Sequence, residues 1–115
     1  MTDLDHGEFL KELPEIPEEE FVIFGTVHAK PEHADALEAV YAETTRLAEF
    51  ESGTVYYCLA RDSDKPNIFH FYERYTGKEA FDAHNAQPII QKLIKDQWFI
   101  GVKAKFMKAI GPASV

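Results

Sequence analysis

The chain is 115 residues long, which is enough for one domain and too short for two. Hydrophobic residues make up 45% of it, and nine Phe, five Tyr and one Trp exclude a disordered composition. The net charge of -8 comes almost wholly from the first 20 positions, where eight acidic residues stand against Lys11 alone. The rest of the chain is therefore nearly neutral and offers no basic stripe for nucleic acid.

The cysteine content and the N-terminal sequence indicate the cellular compartment in which the protein works. The single cysteine, Cys58, excludes an intrachain disulfide and suits a reducing environment. No apolar run approaches the roughly 20 residues that a membrane-spanning helix needs, and acidic residues stand where a secretory signal would be basic and then apolar. The sequence predicts a cytoplasmic protein without a membrane partner.

Residues 1–19 are predicted to form an acidic arm ahead of a single domain at residues 20–115. Two interpretations of the arm are open. It is a partly ordered tail, or its apolar residues fold back over the body of the protein or over a dimer partner. The apolar residues in question are Phe9, Leu10 and Leu13.

The first elements of the domain are a strand and a helix. Glu20 to Ala29 is rich in Phe, Val, Ile and Thr, which predicts a strand that Pro31 ends. Apolar residues then recur at three- and four-residue spacing, which predicts an amphipathic helix that ends before Gly53. Its stripe consists of Ala34, Leu37, Val40, Tyr41, Thr44, Leu47 and Ala48.

The middle of the chain predicts a β-hairpin. Thr54 to Arg61 and Ile68 to Tyr75 have strand compositions, and turn-forming residues fill positions 62–67 between them.

The last third predicts a broken helix and a fourth strand. A helical segment runs from Gly77 to Asp96, and Pro88 predicts a break near Gln87. Trp98, Phe99 and Ile100 are predicted to form an apolar corner. Val102 to Ile110 alternates as a strand, with Lys103, Lys105 and Lys108 leaving one face or end polar.

The predicted order is strand, helix, strand, strand, helix, strand, which is the α+β ferredoxin-like βαββαβ plan with an antiparallel sheet. Helices cover one face of such a sheet. Because the strands carry large apolar groups at nearly every position, the other face of the sheet must also be buried away from water. We expect a homodimer in which the uncovered sheet faces pack together.

Two segments of the sequence carry a family pattern, SGTVYYCLARDSDKPN and FHFYERYTGKEAFDAHNAQPIIQKL. They resemble the antibiotic biosynthesis monooxygenase family of the dimeric α+β barrel superfamily, and the likeness extends over about residues 20 to 110. In this family, an aromatic, Tyr, Glu, Arg and aromatic group leads into a helix with an Ala-His pair and a small residue before Pro. The matching residues here are Phe71, Tyr72, Glu73, Arg74, Tyr75, Phe81, Ala83, His84, Ala86 and Pro88.

The resemblance implies a dimer with a small hydrophobic pocket between the sheet and the helices of each subunit. Family chemistries include oxygenation of anthrone-like polyketides and quinols without metal or flavin, oxidative haem breakdown, and modification of small signalling molecules. The haem-degrading members depend on an Asn, a Trp and a His, where this chain has Gly25, His84 and Ile94. Ile94 cannot ligate iron, so we expect no haem and no other cofactor.

His84 and Tyr75 are the predicted catalytic residues. His84 shares a helix face with Ala80, Phe81 and Pro88 and is expected to point toward the sheet. Histidine is the side chain most often used as a general base. The competing interpretation is a packing histidine bonded to a backbone carbonyl. Tyr75 is a candidate hydrogen-bond donor to a substrate oxygen at the end of the third strand.

The remaining candidates are predicted to line the pocket, and the alternative for each is a purely structural role. Glu73 lies on an apolar strand, where a carboxylate either forms a salt bridge, for example across the dimer to Arg74 or a lysine, or acts as a second base. Trp98 is predicted to close the pocket mouth or to anchor the dimer. The predicted substrate-binding residues are Tyr57, Leu59, Phe69, Phe71, Glu73, Phe81 and Trp98.

Three functions remain open at this level. The first is a cofactor-independent monooxygenase that oxidises a small hydrophobic phenol, quinol, polyketide or oxylipin-like substrate with O2. The second is an isomerase or cyclase that works by proton transfer in the same pocket, and the third is a non-catalytic dimer that binds a small ligand. His28, His33 and His70 show no metal-ligand spacing with one another or with Cys58, so no metal is predicted.

Overall fold

The computed structural model describes residues 7–114, so the first six residues of the predicted arm and Val115 lie outside the description that follows. The predicted order of strands and helices is confirmed, with the second helical segment divided at Gln87. The elements are β1 (Phe21–Ala29), a 3-10 turn (Pro31–His33), α1 (Ala34–Ala48), β2 (Thr54–Arg61), β3 (Ile68–Tyr75), α2 (Lys78–Asn85), α3 (Pro88–Asp96) and β4 (Phe99–Lys108).

The four strands form one antiparallel sheet in the order β2-β3-β1-β4. Because side chains alternate along a strand, each strand sends every second residue toward the helices. On β1 these residues are Phe21, Ile23, Val27 and Ala29, and all four are buried. With Leu37 of α1, Phe81 of α2 and Leu93 of α3 they form the hydrophobic core.

The opposite face of the sheet carries a row of aromatic side chains that no helix covers. Tyr72 lies between Tyr56 and Phe24, with ring centroids 5.6 and 6.1 Å away. Tyr56 is 51% exposed and Tyr72 is 41% exposed. This is the face that the sequence predicts to meet a second copy, and the homodimer stays a prediction.

The fourth strand begins earlier than the sequence suggests. Phe99 and Ile100 belong to β4 and are not part of a corner, so the predicted start at Val102 is wrong. The reason is a change of register on β1: His28 pairs with Gly101, whereas Ala29 pairs with Phe99. This irregularity takes up one extra residue on β4 and lets the pairing continue to the end of β1.

The described part of the arm lies against the domain, as the fold-back interpretation expects, and the role of the arm stays a prediction. The backbone N–H of Leu10 donates to the carbonyl of Val102 on β4 at 2.8 Å. Ile16 is buried in the core. The arm therefore occupies the edge of the sheet at Val102 of β4.

No helix within residues 7–114 is long and apolar enough to cross a membrane.

Candidate active site

A cavity of about 410 Å³ lies between the sheet and the helices. All four strands and all three helices contribute to its wall, and most of the wall is hydrocarbon. Six of the predicted site residues meet there. They are Tyr57, Leu59, Phe71, Glu73, Phe81 and His84.

His84 reaches the cavity because α2 turns one face toward the sheet. Phe81 and His84 are three residues apart, lie on the same side of the helix and are its two buried residues. The His84 ring lies against the rings of Tyr57 and Tyr75, with centroids 5.1 and 5.5 Å away. The imidazole is 4% exposed, so the side chains packed around it restrict its orientation.

Glu51, which follows α1, holds one nitrogen of the His84 ring. Nδ1 of His84 lies 2.8 Å from Oε1 of Glu51. Thr54 donates to the same oxygen at 2.7 Å, and Gln87 donates to Oε2 at 2.8 Å. Burial works to raise the pKa of Glu51, but the hydrogen bonds from Thr54, His84 and Gln87 outweigh it and hold that pKa below its ordinary value.

The protonation state of this pair follows from the carboxylate. An ionised carboxylate only accepts hydrogen bonds, so Nδ1 of His84 carries the proton and donates it toward Glu51. In the neutral imidazole, Nε2 is then the acceptor. This arrangement of a carboxylate behind a histidine is the one that orients a general base.

Glu73 is the second acid-base group of the cavity wall. The hydroxyl of Tyr75 donates to its Oε1 at 2.5 Å. Burial raises the pKa of Glu73, and the hydrogen bond from Tyr75 only partly offsets this effect. A carboxyl group with a raised pKa in a cavity is a candidate proton donor or acceptor.

The predicted pairing of Glu73 with Arg74 does not occur within the chain. The two residues are neighbours on a strand, so they face opposite sides of the sheet. The Arg74 guanidinium instead bonds to the Glu20 carboxylate. Glu73 therefore faces the cavity and accepts a hydrogen bond from the Tyr75 hydroxyl.

Three tyrosines surround the cavity with hydroxyl groups that remain protonated. Burial raises the pKa of Tyr75, Tyr57 and Tyr41 well above the ordinary range. The Tyr57 hydroxyl donates to Oγ1 of Thr44 at 2.9 Å, and Thr44 donates to the backbone carbonyl of Tyr41 at 3.1 Å. These bonds hold the wall on the α1 side in place.

Three of the predicted site residues do not line the cavity. Tyr75 is fully buried behind it, and its hydroxyl is engaged by Glu73. Phe69 lies below Tyr41, with ring centroids 5.4 Å apart, on the α1 side. Trp98 stacks on His33, with ring centroids 5.7 Å apart, and its expected role at the pocket mouth or as a dimer anchor stays a prediction.

Glu51 and several residues of the cavity wall were not predicted from the sequence. Glu51 lies in a loop and has no periodic pattern, so only its contact with His84, 33 positions along the chain, reveals it. Tyr41 was assigned to the core stripe of α1 and also lines the cavity. Leu10 and Leu13 of the arm line it too. A fold-back of these apolar residues over the domain was one of the two interpretations of the arm, and it could have indicated them.

His84 also borders a second depression, on the outer side of the domain. This depression has a volume of about 570 Å³, and Glu51, Thr54 and Gln87 contribute to its lining. The His84–Glu51 pair therefore connects the inner cavity to the surface. Within residues 7–114, no group of three or more His, Cys, Asp or Glu side chains is placed to hold a metal ion.

Solved structures share this architecture. A protein of Shewanella oneidensis has a TM-score of 0.67 and 23% sequence identity over 80% of this chain and 92% of its own. A Pseudomonas aeruginosa protein has a TM-score of 0.69 and 21% identity over 84% and 97% of the two chains. A Mycobacterium tuberculosis protein has a TM-score of 0.69 and 19% identity over 84% and 100%. At these identities the likeness shows the fold alone.

No protein with a curated description matches the chain. The model of the antibiotic biosynthesis monooxygenase family, in contrast, matches residues 20–96, which is well over half of the sequence and includes Glu51, Glu73 and His84. The chain therefore belongs to the antibiotic biosynthesis monooxygenase family.

Proposed function

We propose that this protein is a cofactor-independent monooxygenase that oxidises a small hydrophobic substrate of the phenol, quinol, polyketide or oxylipin type with O2. The observation that carries the proposal is a largely hydrocarbon cavity of about 410 Å³ with a buried histidine in its wall and a carboxylate behind that histidine. A cavity of this size suits a small ligand. Family membership supports oxygenase chemistry and leaves the substrate open.

The proposed reaction uses the electrons of the substrate itself. For an anthrone, removal of a proton from the ring CH2 gives an anion that reduces O2, and a C–O bond forms at that carbon. The resulting hydroperoxide loses water, and the carbon becomes a carbonyl. One oxygen atom of O2 enters the product and the other leaves in water, so no external reductant is consumed.

The residues of the cavity have distinct roles in this proposal. Nε2 of His84 accepts the substrate proton, and Glu51 keeps the ring oriented and stabilises the imidazolium that forms. The proton then leaves through the outer depression beside Glu51. Glu73, with its raised pKa, donates a proton to the departing oxygen as water forms. Tyr75 acts by positioning Glu73.

We propose in addition that the protein works as a homodimer. The support is the uncovered aromatic row of Tyr56, Tyr72 and Phe24, since packing it against the same row of a second copy would bury it.

The test is oxygen uptake by the metal-free protein with an anthrone and quinol panel. We expect one O2 per molecule of product, no hydrogen peroxide and no turnover without O2. His84→Ala should abolish most of the rate, and His33→Ala serves as the matched histidine control, since His33 lies outside the cavity. Uptake that is unchanged in His84→Ala would refute the assignment of the base.

A proton-transfer isomerase or cyclase is the second candidate. It is favoured by the presence of two acid-base groups, His84 and Glu73, in one cavity wall. Equal turnover in aerobic and anaerobic buffer would select this function over oxygenation. Tight binding of small hydrophobic compounds without turnover of any would select the non-catalytic alternative.

A further inference from the structure

The cavity extends across the whole width of the sheet. Its floor includes two residues from each strand: Tyr57 and Leu59 of β2, Phe71 and Glu73 of β3, Ile23 and Val27 of β1, and Val102 and Ala104 of β4. Neighbouring strands lie about 4.8 Å apart, so the path from β2 to β4 is roughly 14 Å long. That length accommodates an elongated molecule lying across the strands.

The two ends of this path differ in chemistry. His84, Glu73 and Tyr57 lie at the β2 and β3 end, where the acid-base groups are concentrated. The floor at the β4 end consists of Val102 and Ala104, which carry no polar side-chain atoms. A molecule with one acidic hydroxyl or carbonyl and an apolar remainder therefore has a single favourable orientation, with its polar group toward His84.

The N-terminal arm borders the apolar end of the cavity. Leu10 and Leu13 line the cavity beside β4 and α3. The backbone N–H of Leu10 donates to the carbonyl of Val102, which holds Leu10 against β4. These two leucines belong to a segment that lies outside the part of the chain matched by the family model, which begins at residue 20.

Phe9 secures the arm on the other face of the sheet. Its ring makes an edge contact with His28, at 5.0 Å between centroids, and the Lys103 ammonium lies 5.3 Å from its centroid. Gly101 makes the contact possible, because a Cβ at this position would lie 2.6 Å from the Phe9 ring. The arm thus passes around the edge of β4, with Phe9 on one side of the sheet and Leu13 over the cavity on the other.

We propose that Leu10 and Leu13 are specificity-determining residues that set the length of the apolar tail accepted by the cavity. The ligand class is an amphipathic molecule with a phenolic or enolic head and a hydrocarbon tail. The head lies at His84 and the tail runs over β1 and β4 toward the arm. This inference rests on the proposed function for the identity of the head group and on the arm contacts for the tail.

The experiment measures dissociation constants of the full chain for para-alkylphenols from ethyl to nonyl. Each added methylene should tighten binding roughly fourfold until the tail meets the arm. Leu13→Ala should move this limit to a longer tail, and Leu13→Trp should move it to a shorter one. Ile110→Ala is the matched control, because Ile110 is exposed and does not line the cavity.

The outcomes separate this inference from the proposed function. Opposite shifts of the length limit in the two Leu13 variants would support the role of the arm, even if no oxygen uptake were found with anthrone. Oxygen uptake with the same limit in all four proteins would overturn the arm inference and leave the oxygenase proposal standing. Absence of phenol binding to the wild-type chain would overturn the arm inference as well.

Discussion

Two histidine–carboxylate pairs in this chain have the same length and lie on opposite faces of the same sheet. His84 and Glu51 are 2.8 Å apart on the helix side, and His70 and Asp62 are 2.8 Å apart on the uncovered side. The His84 side chain is 4% exposed, whereas that of His70 is 39% exposed. The distance alone does not distinguish them, so the role proposed for the first pair rests on its burial and on the adjoining cavity.

The energetics of the two pairs follow from the same difference. Water competes for an exposed pair, so such a pair contributes about 0–1 kcal/mol. A buried imidazole and carboxylate have few other partners, which makes the loss of either more costly and their mutual orientation more rigid. In the proposed function, the reactive histidine is the one that the helices shield from water.

The largest expected effect is on catalysis. Glu51→Gln removes the carboxylate that orients and stabilises the His84 ring, so we expect kcat to fall about 10²-fold, the lower end of what a positioned base contributes. KM should stay nearly unchanged, because Glu51 does not line the cavity. Asp62→Asn is the matched control and should keep the wild-type kcat. Equal losses of kcat in both variants would contradict the proposed difference between the two pairs.

The second prediction concerns stability. His84→Ala leaves a hole between the Tyr57 and Tyr75 rings and removes one partner of Glu51, so we expect the free energy of unfolding to fall by about 2–3 kcal/mol. His70→Ala should cost less than about 1 kcal/mol, because Asp62 still accepts backbone hydrogen bonds from Asp64 and Lys65. Urea denaturation of both variants measures the difference.

The third prediction concerns the opposite pKa shifts of Glu51 and Glu73, the two carboxyl groups near the cavity. The pKa of Glu51 is lowered, so its ionised form stabilises the fold above the unfolded-state pKa, and this stability is lost as the pH falls through the folded pKa. The pKa of Glu73 is raised, so its protonated form is favoured at low pH, and stability is lost as the pH rises through the folded pKa.

Thermal unfolding at pH 4 and pH 8 checks these opposite signs. Glu51→Gln should lower Tm at pH 8 more than at pH 4. Glu73→Gln should raise Tm at pH 8 relative to wild type and have little effect at pH 4, since glutamine still accepts the Tyr75 hydrogen bond. A loss of Tm at pH 8 in the Glu73 variant would contradict the assigned direction of its pKa.

The smallest effect is predicted for two adjacent tyrosines that face opposite sides of β2. Tyr57→Phe removes the hydrogen bond to Thr44 and should cost about 1 kcal/mol or less, because Thr44 keeps its bond to the Tyr41 carbonyl. Tyr56→Phe should leave the free energy of unfolding close to that of the wild type, since Tyr56 is half exposed. Chemical denaturation with several repeats is needed to resolve the two.

Much of the fold could be predicted because residue composition, hydrophobic spacing and turn-forming residues indicate the same strands and helices. β2 and β3 occupy the predicted residues, and Pro88 divides the second helical segment where expected. The start of β4 was missed because it depends on a register shift at His28, which is a property of two paired strands and leaves no mark on either sequence alone.

The candidate site was only partly predictable for a similar reason. Helical spacing placed His84 on the inner face of α2, but its partner Glu51 comes from a loop 33 residues earlier. The Arg74 guanidinium bonds to Glu20, 54 residues away, and no local pattern indicates this contact. The salt bridge expected for Glu73 across a dimer stays a prediction. Periodicity reveals which face a residue occupies, and the tertiary fold decides what it meets there.

A crystal structure of the full chain with a bound para-alkylphenol tests the central claim most directly. We predict that the phenol occupies the cavity between sheet and helices, with its hydroxyl within hydrogen-bond distance of Nε2 of His84 and its alkyl chain directed toward Leu13. A ligand bound elsewhere, or one with its hydroxyl at the β4 end, would contradict the account.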